Sequence, residues 1–171
     1  RRLAIPELGF ITHADARRFE QLLARLRSAT GEEDRQLYAE ALARGRDARR
    51  AQRLLAEALA GRVPPNIALS LPGNVAEKPA HTAMAYAFVL RHWPRLAKMG
   101  GGVFGEQAGL LPDAARAFSD ADRARRLIAD QRARAGPDGD AAAAKAARRI
   151  ELLAKIRRAE ALALAGVLPR E

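Results

Sequence analysis

The chain has 171 residues, no cysteine and a formal net charge of +10. That length suits one domain or one compact helical array, and the missing cysteines exclude disulfides, thiolate metal ligation and a cysteine nucleophile. No run of about 18 apolar residues appears, so no membrane-spanning helix is expected. The basic excess alone would raise nucleic acid or an anionic membrane as partner. Of 30 basic residues, however, only Lys78, Lys98, Lys145 and Lys155 are lysines. The arginines are dispersed among abundant alanines with no stacking motif beside them, so nucleic acid is the weakest partner reading. Arg1 to Phe10 lack the regions of a signal peptide and the first residue is not Met, so the chain reads as a piece of a longer one.

Ala and Leu dominate while β-branched and aromatic residues are scarce, which favours helix and leaves little for strands. Phe19, Leu22, Leu23 and Leu26 fall on one face of a helix from about Ala14 to Ser28. Thr30 to Glu33 has capping-box form and predicts the next helix start, with Leu37, Tyr38, Ala41 and Leu42 as its apolar face. Gly45 and Asp47 mark a stop and a new N-cap, and Ala51, Leu54, Leu55 and Ala58 stripe a third helix ending near Gly61. These stripes recur about every 17 residues, near the low end of helical-repeat periods when taken in pairs.

Val63-Pro64-Pro65 is an extended elbow, and Pro72-Gly73 predicts a kinked or broken element between Asn66 and Glu77. Pro79 opens a longer helix to about Met99, with Ala85, Phe88, Val89, Trp93 and Leu96 on one side and a bend expected at Pro94. Gly100-Gly101-Gly102 ends it. Further helices are expected from about Gly105 to Arg116 and, after Asp120, through about Arg134. Gly136-Pro137-Asp138-Gly139 reads as a loop, and Asp140 as the cap of a last helix carrying Ile150, Leu153 and Ile156 and ending at Gly166. The expected fold is all-α, an α-solenoid of about eight antiparallel helices of HEAT or armadillo type, in one domain over residues 1–171.

Catalytic patterns are missing. His13, His81 and His92 are far apart and none stands in H-E-x-x-H, which excludes i, i+4 zinc ligation on a helix of this chain. His92 beside Trp93 reads as a core-boundary residue before a ligand-facing one. Gly100 to Gly102 lack the strand and the G-K-[ST] ending of a phosphate loop. Glu32, Glu33 and Asp34 suit a helix start better than acid–base chemistry. The pairs Arg49-Arg50, Arg125-Arg126, Arg148-Arg149 and Arg157-Arg158 could each receive a carboxylate, although a solvated face explains most of them. No catalytic or metal-ligating residue is assigned, and no substrate-binding position stands out.

The segment Ala85-Tyr86-Ala87-Phe88-Val89-Leu90-Arg91-His92-Trp93-Pro94-Arg95-Leu96 resembles the W-x-F-x-x-x-N-W-x-x-L helix in the C-terminal domain of aminopeptidase N-type and endoplasmic-reticulum-aminopeptidase-type zinc peptidases. Tyr86 stands for the usual Trp and His92 for the usual Asn. Arg46-Asp47 leading into Leu54 to Leu59, then Val63-Pro64-Pro65, is similar to the family's helix and Pro elbow ahead of that segment. Phe118-Ser119-Asp120, a loop, and Arg148-Arg149-Ile150-Glu151 are similar to the family's closing helices. The resemblance implies a curved helical bowl covering the catalytic domain of a larger peptidase, with zinc, H-E-x-x-H and the G-x-M-E-N loop on that other domain. Its implied partners are that catalytic domain and peptide substrates beyond the scissile bond. The rival readings are a free-standing helical scaffold that binds another protein and, last, a nucleic-acid binder.

Overall fold

A computed structural model describes residues 16–100 and 106–166, and among them every regular element is helical. Eight α-helices follow in order: α1 Ala16–Ser28, α2 Glu32–Ala43, α3 Ala48–Leu59, α4 Pro65–Ala76, α5 Pro79–Met99, α6 Glu106–Ala114, α7 Ala121–Ala135 and α8 Asp140–Leu164. A 3₁₀ turn, Gly136–Gly139, joins the last two. The first four starts keep the spacing of about 17 seen in the sequence.

Each helix packs on its chain neighbours, and the even-numbered ones also pack on each other, α2 on α4, α4 on α6 and α6 on α8. In the odd row only α3 and α5 lie that close. The predicted stripes are buried: Phe19, Leu22, Leu23 and Leu26 on α1, and Ala51, Leu54, Leu55 and Ala58 on α3. Two apolar clusters result, one from α1 through α4 to Ala85 and one from Tyr86 to Ile150, and Phe88 and Met99 pack against both.

Where α1 and α3 stand apart, long side chains span the gap. Glu57 is buried, and Arg27 donates to both its oxygens at 2.8 and 2.6 Å while Arg62 adds a third bond at 3.1 Å. The bond to Glu57 holds the Arg27 guanidinium above its ordinary range. Arg53 forks onto Glu20 in a parallel but exposed pair, with one bond of 2.8 Å.

Several local expectations are corrected. The second helix starts one residue late for the Thr30 capping box: Gly31 is its N-cap with no side-chain cap, and Glu32, Glu33 and Asp34 complement its first turn instead. Its buried residues are Ala39, Ala41, Leu42 and Ala43, with Leu37 and Tyr38 half-buried, because α2 approaches its neighbours through alanines. Pro72 does not break α4. It is buried together with Gly73, where a Cβ would lie 3.0 Å from Asp113 Cβ, so close packing on α6 offsets the lost backbone bond. Pro94, by contrast, sits within α5 and that helix runs on to Met99 as expected. The loop at Gly136 is the 3₁₀ turn, entered through Gly136 at φ 65°, and Gly139, not Asp140, caps α8. Asp140 stands first in that helix and pairs with Arg132.

The Asp47 and Asp120 caps form as read from the sequence. Asp47 accepts from the backbone N–H groups of Arg49 at 2.8 Å and Arg50 at 3.1 Å, and the Arg50 bond is the main reason its carboxyl lies below the usual range. A lowered carboxyl contributes stability above its unfolded-state value and loses it as pH falls through the folded one. Asp47→Ala should therefore be less stable than the parent at neutral pH, with the gap closing on acidification. Urea unfolding across that range checks it, and a gap that persists in acid counts against the cap. Arg27→Ala, which strips a buried carboxylate of its main partner, should cost about 3 kcal/mol, against under about 1 kcal/mol for Arg53→Ala at the exposed pair.

Candidate functional sites

The histidines do not meet. His81 is buried on α5 with Nε2 3.1 Å from the Gly45 carbonyl, which ties the α2–α3 turn to α5. His92 is half-buried, its ring 4.8 Å from that of Phe88 and tilted by 54°, while Trp93 points into the core. His92 and Trp93 thus serve opposite sides of α5, and His13 lies outside the described residues. No group of three or more His, Asp or Glu comes together among the described residues, so these side chains do not suit a zinc ion.

Of the glycine triplet, Gly100 caps α5 and the other two lie outside the described residues. The acidic run Glu32 to Asp34 is spent on its helix start and on Asn66, which donates to Glu32 from α4. The arginine pairs scatter. Arg50 reaches Asp47 at 3.8 Å, Arg125 pairs with Asp122, and Arg49, Arg126 and Arg148 are exposed. Arg157 and Arg158 sit on the last half of α8, where no described residue beyond Ile150 is buried.

Two recesses remain. The larger concentration of charge is in the even row, where α6 and α8 border a groove of about 340 Å³ that includes Asp113, Arg116, Lys145 and Arg149. Arg116 is committed, donating to Glu77 at 3.0 Å and to the Asp113 carboxylate at 3.0 Å. Lys145 and Arg149, one turn apart on α8, form no ion pair among the described residues. The groove can therefore hold an anion between two free cations and a braced third. The i, i+4 spacing of Lys145 and Arg149 was visible in the sequence, but their facing α6 was not. The second recess lies in the odd row between α3 and α5 and includes Gln52, Phe88, Arg91 and His92.

The helix that resembled a peptidase family anchors this layout. Trp93 and Leu96 are buried, and Tyr86 donates its hydroxyl to Asp130 of α7 at 2.8 Å. Its ring meets Phe118 edge-on at 5.5 Å, and burial followed by the bond to Asp130 pushes its hydroxyl pKa up. Residues 9–151 match the family model of the ERAP1-like C-terminal domain. The chain belongs to that family. It is the helical C-terminal domain of M1 aminopeptidases, which supports the resemblance read from the Tyr86 to Leu96 helix. No curated protein matches the chain. The family places the domain in a zinc aminopeptidase setting, but among the described residues the donors do not fit a zinc site.

In this ERAP1-like domain one buried side chain links α6 to the start of α8. Gln131 of α7, fully buried, donates to the Ala108 carbonyl at 3.3 Å and packs against Gly139, where a Cβ would overlap the Gln131 Nε2 atom. Gly139→Ala should destabilise by about 2 kcal/mol by displacing that amide. Adding Gln131→Ala should recover part of the loss, so chemical denaturation of the two single variants and the double should show clear non-additivity.

Proposed function

We propose that this chain is the non-catalytic C-terminal domain of a zinc-dependent aminopeptidase, an α-solenoid that covers the active-site chamber and helps bind peptide substrates. Contacts between successive helices and between every second one support the solenoid, because each stripe is completed by its neighbours. The even row is close-packed and the odd row is splayed, so the array would curve toward the even row, as the inner layer of a bent stack must be the tighter one. That curvature would put the α6–α8 groove on the concave side, facing a chamber.

The observation that carries the peptide-binding part is the pair Lys145 and Arg149, cations with no ion pair among the described residues, beside the braced Arg116. A peptide carboxylate, from an acidic side chain or the C-terminus, is the complementary group. In the complete peptidase, Lys145→Ala with Arg149→Ala should raise KM for peptides with a free C-terminal carboxylate by about tenfold and leave amidated peptides unchanged. Equal KM values for variant and parent would remove the groove from substrate binding. The assignment to a peptidase is tested separately by reading the coding sequence ahead of Arg1, where an H-E-x-x-H segment is expected.

The exposed stripe of Leu152 and Ile156 on α8, beyond the family match that ends at residue 151, favours a second reading as a protein-binding scaffold. A complete coding sequence that holds no peptidase domain would select it.

A further inference from the structure

The recess of the odd row has a different character from the α6–α8 groove. It is a notch of about 370 Å³ between α3 and α5, lined by Gln52, Leu55, Met84, Phe88, Arg91 and His92. Leu55 is buried at its base, while Met84 and Phe88 are half-buried and pack onto the core behind it. The floor is therefore apolar and continuous with the core, yet open to solvent at the front.

The rim carries charge of one sign. Arg91 is exposed and forms no ion pair among the described residues, and no carboxylate lines the notch. Arg95 and Lys98 follow at i+4 and i+7 on the same face of α5, exposed and likewise without ion pairs among the described residues. Elsewhere in the odd row the guanidinium groups that reach between helices are matched, Arg27 by Glu57 and Arg53 by Glu20. The α5 ridge beside the notch lacks any such match.

A recess with Leu55, Met84 and Phe88 at its base, a polar rim of Gln52 and His92, and guanidinium groups unmatched among the described residues is complementary to a ligand with an aromatic group close to carboxylates. We propose that this notch docks an acidic peptide segment of a partner protein, anchored by one aromatic side chain in the recess with its neighbouring carboxylates on Arg91 and Arg95. The aromatic ring replaces solvent over the half-buried Met84 and Phe88, and the thioether of Met84 suits a ring edge. The geometry disfavours a nucleic-acid strand. The rings of Phe88 and His92 are half-buried and tilted by 54° to each other, so they do not form a flat platform for successive stacked bases. The proposal does not rest on the peptidase reading, because the notch lies in the row opposite the α6–α8 groove.

The test is a fluorescence-anisotropy titration of the full chain with a labelled peptide of acidic residues around a single Phe. Binding at about micromolar Kd, weakening with added salt, is expected. Replacing the peptide's Phe by Ala should weaken it by about tenfold, as should Arg91→Glu in the protein. Because Phe88→Ala could unsettle the core, the recess is probed with Ala87→Trp, an exposed position at the notch, which should block the peptide while leaving the helical circular dichroism intact. Arg158→Glu, which removes the same charge on the far part of α8, should leave binding unchanged. The proposal is overturned by absence of binding at low salt, by equal binding of the peptide without Phe, or by equal losses from Arg158→Glu and Arg91→Glu. Competition by oligo(dT) as strong as by the unlabelled peptide would also overturn it, in favour of nucleic acid.

Discussion

The close approach of α4 to α6 is the constraint on which the rest of the array depends. At Gly73 the two helices are near enough that a methyl group would press on Asp113, and the neighbouring Pro72 is buried as well. With Ile67, Leu71 and Val75 also fully buried, α4 touches α2, α3, α5 and α6 and so joins the two apolar clusters. A larger residue at position 73 would press on Asp113 and Arg116, which line the α6–α8 groove.

Buried polar groups fix the register that alanine and leucine leave loose. Ala-rich faces slide easily because their knobs are small and alike. Glu57 locks α1 to α3, His81 locks α5 to the α2–α3 turn, and Tyr86 locks α5 to α7. Thr82 ties the start of α5 to the end of α4 through the carbonyls of Ala76 at 3.0 Å and Lys78 at 3.1 Å. Each of these groups would be costly to bury without its partner, so each penalises a shifted packing.

The two recesses lie one in each row. In the even row α6 and α8 frame a groove with Lys145 and Arg149 along one wall. In the odd row arginine–carboxylate pairs span the gap between α1 and α3, and a notch edged by Arg91 lies between the closer pair α3 and α5. In a domain belonging to the C-terminal family of M1 aminopeptidases, that gives two faces of different chemistry on one small scaffold.

Helix identity was legible in the sequence because it is a local property. The i, i+3, i+4 stripe of α1, the Asp47 and Asp120 caps, the Pro79 start and the family pattern around Trp93 each need only a few neighbouring residues to express them. The expectations that failed concern Pro72 and two helix starts. Pro72 stays helical beside Gly73, which packs closely on α6, while Gly31 rather than Thr30 caps α2 and Gly139 rather than Asp140 caps α8, the Asp140 carboxylate pairing with Arg132. The candidate sites were the least legible part. The sequence shows that Lys145, Arg149 and Arg91 are cations on helix faces, but whether a cation is matched depends on carboxylates tens of residues away. Composition and periodicity determined that this chain is helical, and the motif residues from Ala85 to Leu96 carried the family resemblance. Tertiary packing alone decided which charges are left without partners, because ion pairing is settled by distance in space.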